Sequence, residues 1–175
     1  MTALAVIGTG YVGLTTGACF AHLGHDVICA DIDEHKVARL KLGDVPIVED
    51  RIELLVEEGL RTGRLQFTTS LDEAVRECEV AFLCVPTPSS ADGSVDLSFI
   101  ESAVSMIAGS LPSGSIVATK STVPVGSTLI VERVLAREDV SVVSNPEFLR
   151  EGSAVVDFLK PDRVVIGADD QEAAI

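Results

Sequence analysis

Tryptophan is absent from the chain and aromatic side chains make up only 4% of it, so any core it builds is aliphatic. Basic residues are scarce too: 13 Lys and Arg stand against 27 Asp and Glu, a formal charge of −14. Binding to a phosphate backbone or an anionic membrane depends on clustered Lys and Arg, which argues against nucleic acid and membrane as partners. No apolar run approaches the roughly 20 residues that span a bilayer. The N-terminus leads straight into a strand-like segment, which argues against a cleavable signal peptide. A soluble, cytoplasmic protein is the expectation. Cys19, Cys29, Cys78 and Cys84 form no C-x-x-C pair, and their spacing suits neither zinc nor a disulfide framework. No metal site is expected, and the four thiols read as small buried hydrophobes. Repeats, low-complexity tracts and linkers are missing as well, and 175 residues suit one well-cored domain or a domain with a short extension.

What is present begins four residues in. The apolar run Ala3-Leu4-Ala5-Val6-Ile7 leads into Gly8-x-Gly10-x-x-Gly13, then a helix-compatible stretch through Leu23, then a second apolar run, Val27-Ile28-Cys29-Ala30, ending on Asp31. Strand, glycine turn, helix, strand and terminal acid in this order form a dinucleotide-binding βαβ fingerprint. Gly8 permits the tight turn, Gly10 lets the backbone approach a pyrophosphate, and Gly13 lets the helix pack close to the strand. Free N–H groups at the helix start favour phosphate. Asp31 lies 18 residues beyond Gly13, about where an acid reaches the adenosine ribose hydroxyls.

Strand and helix patterns alternate along the rest. Strands are expected near 3–8, 26–31, 65–68, 79–85, 115–119, 140–144 and 163–167, and helices near 11–23, 34–43, 50–62, 71–77, 97–110, 126–137 and 152–158. The fold class is therefore α/β, a Rossmann-like, doubly wound, mainly parallel sheet with helices on both faces. Ser70 with Glu73 forms a capping-box pattern. Asp96 can cap the helix through Ile100 and Val104, Leu111-Pro112-Ser113-Gly114 ends it, and Gly63 closes the helix containing Leu54, Leu55 and Leu60. Residues 87–95 form a turn-rich loop after a strand, at the sheet edge where open α/β folds bind ligands.

Three more clusters fall at expected strand C-termini. Val85-Pro86-Thr87-Pro88 is either a stiffened loop that aims the Thr87 hydroxyl or a plain rigid turn. In Lys120-Ser121-Thr122-Val123-Pro124-Val125-Gly126 the hydroxyls can hold a water or a cofactor carboxamide, or cap a helix. Lys120 reads as a catalytic base or, more commonly for a lysine, a solvated charge. In Asn145-Pro146-Glu147-Phe148-Leu149-Arg150-Glu151-Gly152, Asn145 reads as a cap with Pro146 at the first helical position. On such a helical turn Glu147 and Glu151 share a face. They are either a pair for acid–base work or first-turn acids favoured by the helix dipole.

Together these segments resemble the N-terminal domain of the nucleotide-sugar 6-dehydrogenases, the UDP-glucose/GDP-mannose dehydrogenase family. The matching residues are Gly8 to Leu14, Asp31-Ile32-Asp33, Val85 to Pro88, Lys120 to Gly126 and Asn145 to Ala154, and their wording is most like the UDP-glucose members. Two departures stand out. Pro46-Ile47-Val48-Glu49-Asp50-Arg51 replaces the usual Pro-x-x-Glu-Pro-Gly, and Val-Pro-Thr-Pro replaces a frequent Val-Gly-Thr-Pro.

The resemblance implies oxidation of a sugar C6 alcohol to a carboxylate in two hydride transfers to NAD+. It implies that Gly8, Gly10, Tyr11, Val12 and Gly13 hold the pyrophosphate and that Asp31 and Lys36 contact the adenosine ribose, the Asp31 charge disfavouring a 2′-phosphate. Thr87 and Thr122 would line the nicotinamide side, with Thr122 also positioning a water. Glu147 would serve acid–base and hydrolytic chemistry. Phe148, Leu149, Arg150 and Glu151 would contact the sugar nucleotide, with Glu147 beside them and Glu151 also reaching the cofactor. Thr122, Glu147 and Glu151 are thus the candidate catalytic residues. The family's nucleophile is a cysteine in a later domain, which passes through a thiohemiacetal and a thioester. None of the four cysteines here sits in a matching segment. Residues 1–175 are therefore expected to be a single NAD-binding domain lacking the connecting helix and the sugar-nucleotide domain. Such a piece is expected to bind cofactor without turnover and to be monomeric, while the parent would be a homodimer or larger acting on UDP-glucose or a related nucleotide sugar. A stand-alone regulatory binding module is the alternative. A hydroxyacid or phosphogluconate type of dehydrogenase is a third reading, disfavoured by the Asn-Pro-Glu-Phe-Leu-Arg-Glu segment.

Overall fold

A computed structural model describes residues 1–90 and 92–169. Six parallel strands, β1 (Ala3–Ile7), β2 (Asp26–Ala30), β3 (Leu65–Thr68), β4 (Val80–Leu83), β5 (Ile116–Thr119) and β6 (Ser141–Ser144), form one sheet in the order β3-β2-β1-β4-β5-β6. Seven helices connect and flank them: α1 (Tyr11–His22), α2 (Glu34–Lys41), α3 (Ile52–Thr62), α4 (Leu71–Val75), α5 (Ser98–Ile107), α6 (Ser127–Leu135) and α7 (Ala154–Leu159). The strand order reverses between β1 and β4, which opens a crevice above their carboxyl ends.

Side chains alternate across each strand, and both faces are covered. Leu4, Val6, Phe82 and Cys84 point into a core shared with Leu14 of α1, Leu40 of α2, Ile52 and Val56 of α3 and Val155 of α7. Ala5, Ile7, Ala81 and Leu83 point the other way, onto Leu71 of α4, Ile100 and Ile107 of α5 and Val131 of α6. The aliphatic, doubly wound core expected from the composition is thus the one observed.

The helix stops behave as expected in part. The Ser70 hydroxyl accepts from Glu73 N at 3.2 Å, but the Glu73 carboxylate turns to the Thr68 hydroxyl at 2.5 Å, so half of the capping box forms. Gly63 closes α3 in the left-handed region at φ 73°. Asp96 is not the cap expected: Leu97 holds the N-cap position of α5, and Asp96, one residue before it, accepts from Ser98 N at 2.9 Å. The 87–95 loop folds back on itself, with Ser90 N donating to Ser94 O at 2.7 Å and Asp96 N to Pro88 O at 2.8 Å; its Ala91 lies outside the described residues.

Two expectations are overturned. The seventh strand, 163–167, does not form: a lone antiparallel bridge joins Ser144 and Gly167. The apolar run Val164-Val165-Ile166 has strand composition but no sheet face to bury, and all three side chains are exposed. Six residues of α7 and Pro161 bring the chain back against β6 in the opposite direction. The helical turn at 145–151 is also absent, because helix begins only at Ala154. Asn145 is not a cap. Its amide N–H donates to Thr119 O at 2.9 Å and its Nδ2 to Val165 O at 2.9 Å, so it braces the β5 end against the returning segment. Glu147 and Glu151 therefore share no helix face.

Candidate functional site

The Gly8–Gly13 turn is built by close packing. Gly8 has φ +97°, and a Cβ there would lie 2.7 Å from Cys84 O. A Cβ on Gly13 would fall 1.9 Å from Gly8 O, so the start of α1 can nest on the turn only without one. Gly10 differs: a Cβ there would meet no atom within 4 Å. It faces a cavity of about 610 Å³ above the crevice. No side chain caps α1. Leu14 N, bonded to Gly10 O at 2.9 Å, is its first N–H paired within the helix, which leaves those of Tyr11, Val12 and Gly13 at its mouth.

One end of this cavity is acidic. Asp31 follows β2 and is 9% exposed. Its Oδ2 accepts from Thr9 N at 2.9 Å, Thr9 Oγ1 at 2.6 Å and Lys36 Nζ at 2.8 Å, while Oδ1 accepts only Asp33 N at 3.0 Å. Burial pushes the carboxyl pKa up, but the Lys36, Thr9 and Asp33 donors outweigh it and hold the group below its ordinary value. The carboxylate is thus ionised and fixed, and Oδ1 keeps acceptor capacity toward the cavity.

The other end is formed by three loops at the ends of β4, β5 and β6. The Thr87 hydroxyl donates to Thr122 O at 3.0 Å and the Ser121 hydroxyl to Val85 O at 2.7 Å, which binds the first two loops together. Glu147 comes from the third, and its Oε2 accepts Leu149 N at 2.5 Å. Lys120 does not have the solvated role common for lysine. It is 7% exposed, its Nζ donates to Asn145 Oδ1 at 3.3 Å, and it lies 5.9 Å from the centre of the Phe158 ring. Burial lowers its pKa, opposed by attraction to Cys84 and Glu147.

The expected residues therefore divide. Gly8, Gly10, Tyr11, Val12, Asp31, Lys36, Thr87, Thr122 and Glu147 line this same cavity, with Gly13 packed behind it. Phe148, Leu149, Arg150 and Glu151 do not line it. Phe148 is 54% exposed with Arg163 over its ring, and Arg150 pairs with Asp157, Nη2 to Oδ1 at 2.7 Å. All four cysteines are buried and free. Desolvation pushes Cys19 and Cys84 up to about 12 and Cys78 up to about 11, so they are packing groups rather than thiolates.

One cluster escaped the sequence reading. Glu49, 8% exposed, accepts the Tyr11 hydroxyl and Gly152 N, the latter at 2.7 Å, and Gly152 N also reaches the Tyr11 oxygen at 3.1 Å. Burial and the Glu49 contact push Tyr11 up to about 12. Burial raises the Glu49 pKa, but Tyr11 and the N–H groups of Gly152, Val155 and Ala154 bring it below the ordinary value. The Tyr11 side chain thus points to the 147–152 segment, while its backbone sits at the mouth of α1. Two residues on, Arg51 has φ 65° at the N-cap of α3, in the left-handed region, at the motif position where a glycine is usual.

The family model for the UDP-glucose/GDP-mannose dehydrogenase family, NAD binding domain, matches residues 2–175. The chain belongs to this family. Among its relatives, a UDP-glucose 6-dehydrogenase of Rhizobium meliloti is 50% identical over 171 residues, which is 95% of this chain and 39% of that protein. A UDP-glucose dehydrogenase structure from Pyrobaculum islandicum superposes with a TM-score of 0.92 at 44% identity, covering 99% of this chain and 42% of the other. The ternary complex of a GDP-mannose dehydrogenase from Pseudomonas aeruginosa gives 0.91 at 34% identity, covering 98% and 42%. The chain thus spans about two fifths of the length of the relatives it matches, in the part that is the family's NAD-binding domain. Among the described residues no helix is long and apolar enough to cross a membrane.

Proposed function

We propose that the chain is the cofactor-binding part of an NAD-dependent UDP-glucose 6-dehydrogenase. One observation carries this: the unobstructed backbone at Gly10 and the α1 mouth, an ionised acid at one end and Thr87, Thr122 and Glu147 at the other all face one cavity. The strand order gives the orientation. A dinucleotide lying across the reversal point puts its adenosine over β2, where Asp31 ends the strand, and its nicotinamide over β4 and β5. The N–H groups of Tyr11, Val12 and Gly13 hold the pyrophosphate. Asp31 Oδ1 accepts a ribose hydroxyl beside Lys36, and its charge repels a 2′-phosphate. NAD+, when bound, supplies the hydride acceptor. Thr122 orients a water or the sugar alcohol, and Glu147 holds or releases a proton at its carboxylate.

Phe148, Leu149, Arg150 and Glu151, at the rim, make the sugar-nucleotide contacts of the complete enzyme, with Glu151 reaching the cofactor. The complete reaction, alcohol to carboxylate in two hydride transfers, needs a cysteine nucleophile outside these residues. Residues 1–175 act as one cofactor-binding domain, monomeric alone and part of a homodimer or larger in a cytoplasmic parent. The test is to titrate the purified chain with NADH by fluorescence and then supply NAD+ and UDP-glucose. Binding without NADH production is expected. Sustained NADH production by the chain alone would contradict the division of labour, and absence of binding would contradict the cofactor assignment.

A further inference from the structure

Lys120 is a buried charge for which the cofactor-binding roles above have no use. An ammonium has three donors. Here one of them meets a neutral amide oxygen at 3.3 Å, and among the described residues the lysine makes no salt bridge. A charge sequestered without an ion partner is expensive, and the Phe158 ring 5.9 Å away offsets only part of that cost. Two features show where it acts. Lys120 lines the cavity together with Thr122 and Glu147, at the β4–β5 end. Its backbone is fixed by Lys120 N donating to Leu83 O at 3.0 Å, and Asn145, its amide partner, is itself braced to Thr119 and Val165. The ammonium is therefore positioned by rigid elements rather than free to follow a ligand.

We infer that Lys120 and Glu147 are an opposed charge pair that sets how strongly the site prefers reduced over oxidised nicotinamide cofactor. The inference rests on the cofactor placement proposed above. An oxidised nicotinamide ring carries one positive charge; on accepting a hydride, two electrons and one proton, it becomes neutral. A fixed cation beside it disfavours the oxidised form and a fixed anion favours it, and both act more strongly in a partly desolvated cavity than in water. Contacts to the adenosine and pyrophosphate are common to both forms and cancel from the ratio of their affinities. Lys120 thus makes the bound oxidised cofactor easier to reduce, which suits oxidation of an alcohol. Glu147 moderates this and keeps the oxidised form bound. Lys120 is a positioning and tuning residue acting through charge, not a base that touches the substrate.

The test uses the purified chain, titrated separately with NAD+ and NADH, in the wild type and in Lys120→Met, Lys120→Arg and Glu147→Gln. Lys120→Met is expected to lower Kd(NAD+)/Kd(NADH) by about fivefold or more. Lys120→Arg, which keeps the charge, should hold the ratio near wild type, and Glu147→Gln should raise it. If Lys120→Met weakens or spares both cofactors equally, the lysine is only structural and the inference is overturned. Should Lys120→Met not fold, Glu147→Gln decides alone, and an unchanged ratio there is equally fatal. A wild-type chain that binds neither form overturns the cofactor placement itself, an outcome distinct from binding with an unmoved ratio.

Discussion

The Gly8–Asp31 region and the 145–152 segment meet at the same cavity and are built in opposite ways. The first is local and regular: strand, turn, helix and strand follow one another, and its fit depends on glycines pressed against backbone. The second has no regular structure between Asn145 and Arg150. It is held by partners far away in sequence, with Gly152 bonded to Glu49 and Tyr11 and Asn145 bonded to Lys120 and Val165. Backbone N–H groups at a helix start present the same donors whatever the side chains around them. A segment strung between three distant side chains and one backbone carbonyl can differ in detail without loss of the fold. The two are joined at Tyr11, whose backbone belongs to the first and whose hydroxyl belongs to the second.

Breaking the first region should have the largest effect. Gly13→Ala puts a carbon 1.9 Å from the Gly8 carbonyl and is expected to destabilise by about 3 kcal/mol or more, seen as a lower urea midpoint and lost NAD+ binding. A melting curve matching wild type would mean that the turn is not close-packed. Glu49→Ala attacks the second region alone. It leaves the Tyr11 hydroxyl without its acceptor and Gly152 N–H with only the Tyr11 oxygen, a loss of about 1–3 kcal/mol. Hydrogen exchange should speed up at 150–155 and stay slow in β1 and β2; uniform acceleration would show that the two regions are one unit.

Asp31→Ala should weaken NAD+ by about 1–3 kcal/mol, roughly 5- to 150-fold by calorimetry, and also lower the stability of the fold, because Thr9 N and Asp33 N lose their acceptor. The same carboxyl has a lowered folded pKa, so its ionised form stabilises the fold above the unfolded value and that contribution is lost as pH falls through the folded value. The stability gap between wild type and Asp31→Asn should accordingly be flat from about pH 5 to pH 8 and close below about pH 4. A gap that changes near neutrality would assign the titration to another group. The smallest effect is a gain: Arg51→Gly relieves a left-handed side chain at the start of α3 and should stabilise by up to about 1 kcal/mol in chemical denaturation.

The same contrast explains what could be read in advance. All six strands of the sheet and all seven helices were legible, because β1, β4 and β5 are mostly apolar and buried on both faces and α3 and α5 carry one apolar stripe each. The glycine turn and Asp31 were legible because a spacing of a few residues specifies them. Residues 145–152 were misread as helix, since Asn-Pro-Glu is also a helix-start pattern and only distant partners decide against it. Residues 163–167 were misread as a strand, since composition does not say whether a sheet edge is there to receive them. The burial of Lys120 left no local signal and the Glu49 knot only one, the retained Glu in the 46–51 motif, because both depend on which loops the topology brings together.

The central claim is that one cavity holds NAD in the orientation set by Asp31. Calorimetric titration of the wild-type chain with NAD+ and with NADP+ under the same conditions tests it most directly. Saturable NAD+ binding with NADP+ at least about tenfold weaker is predicted, because the 2′-phosphate meets an ionised carboxylate. Equal or tighter NADP+ binding, or no heat with either, would contradict it.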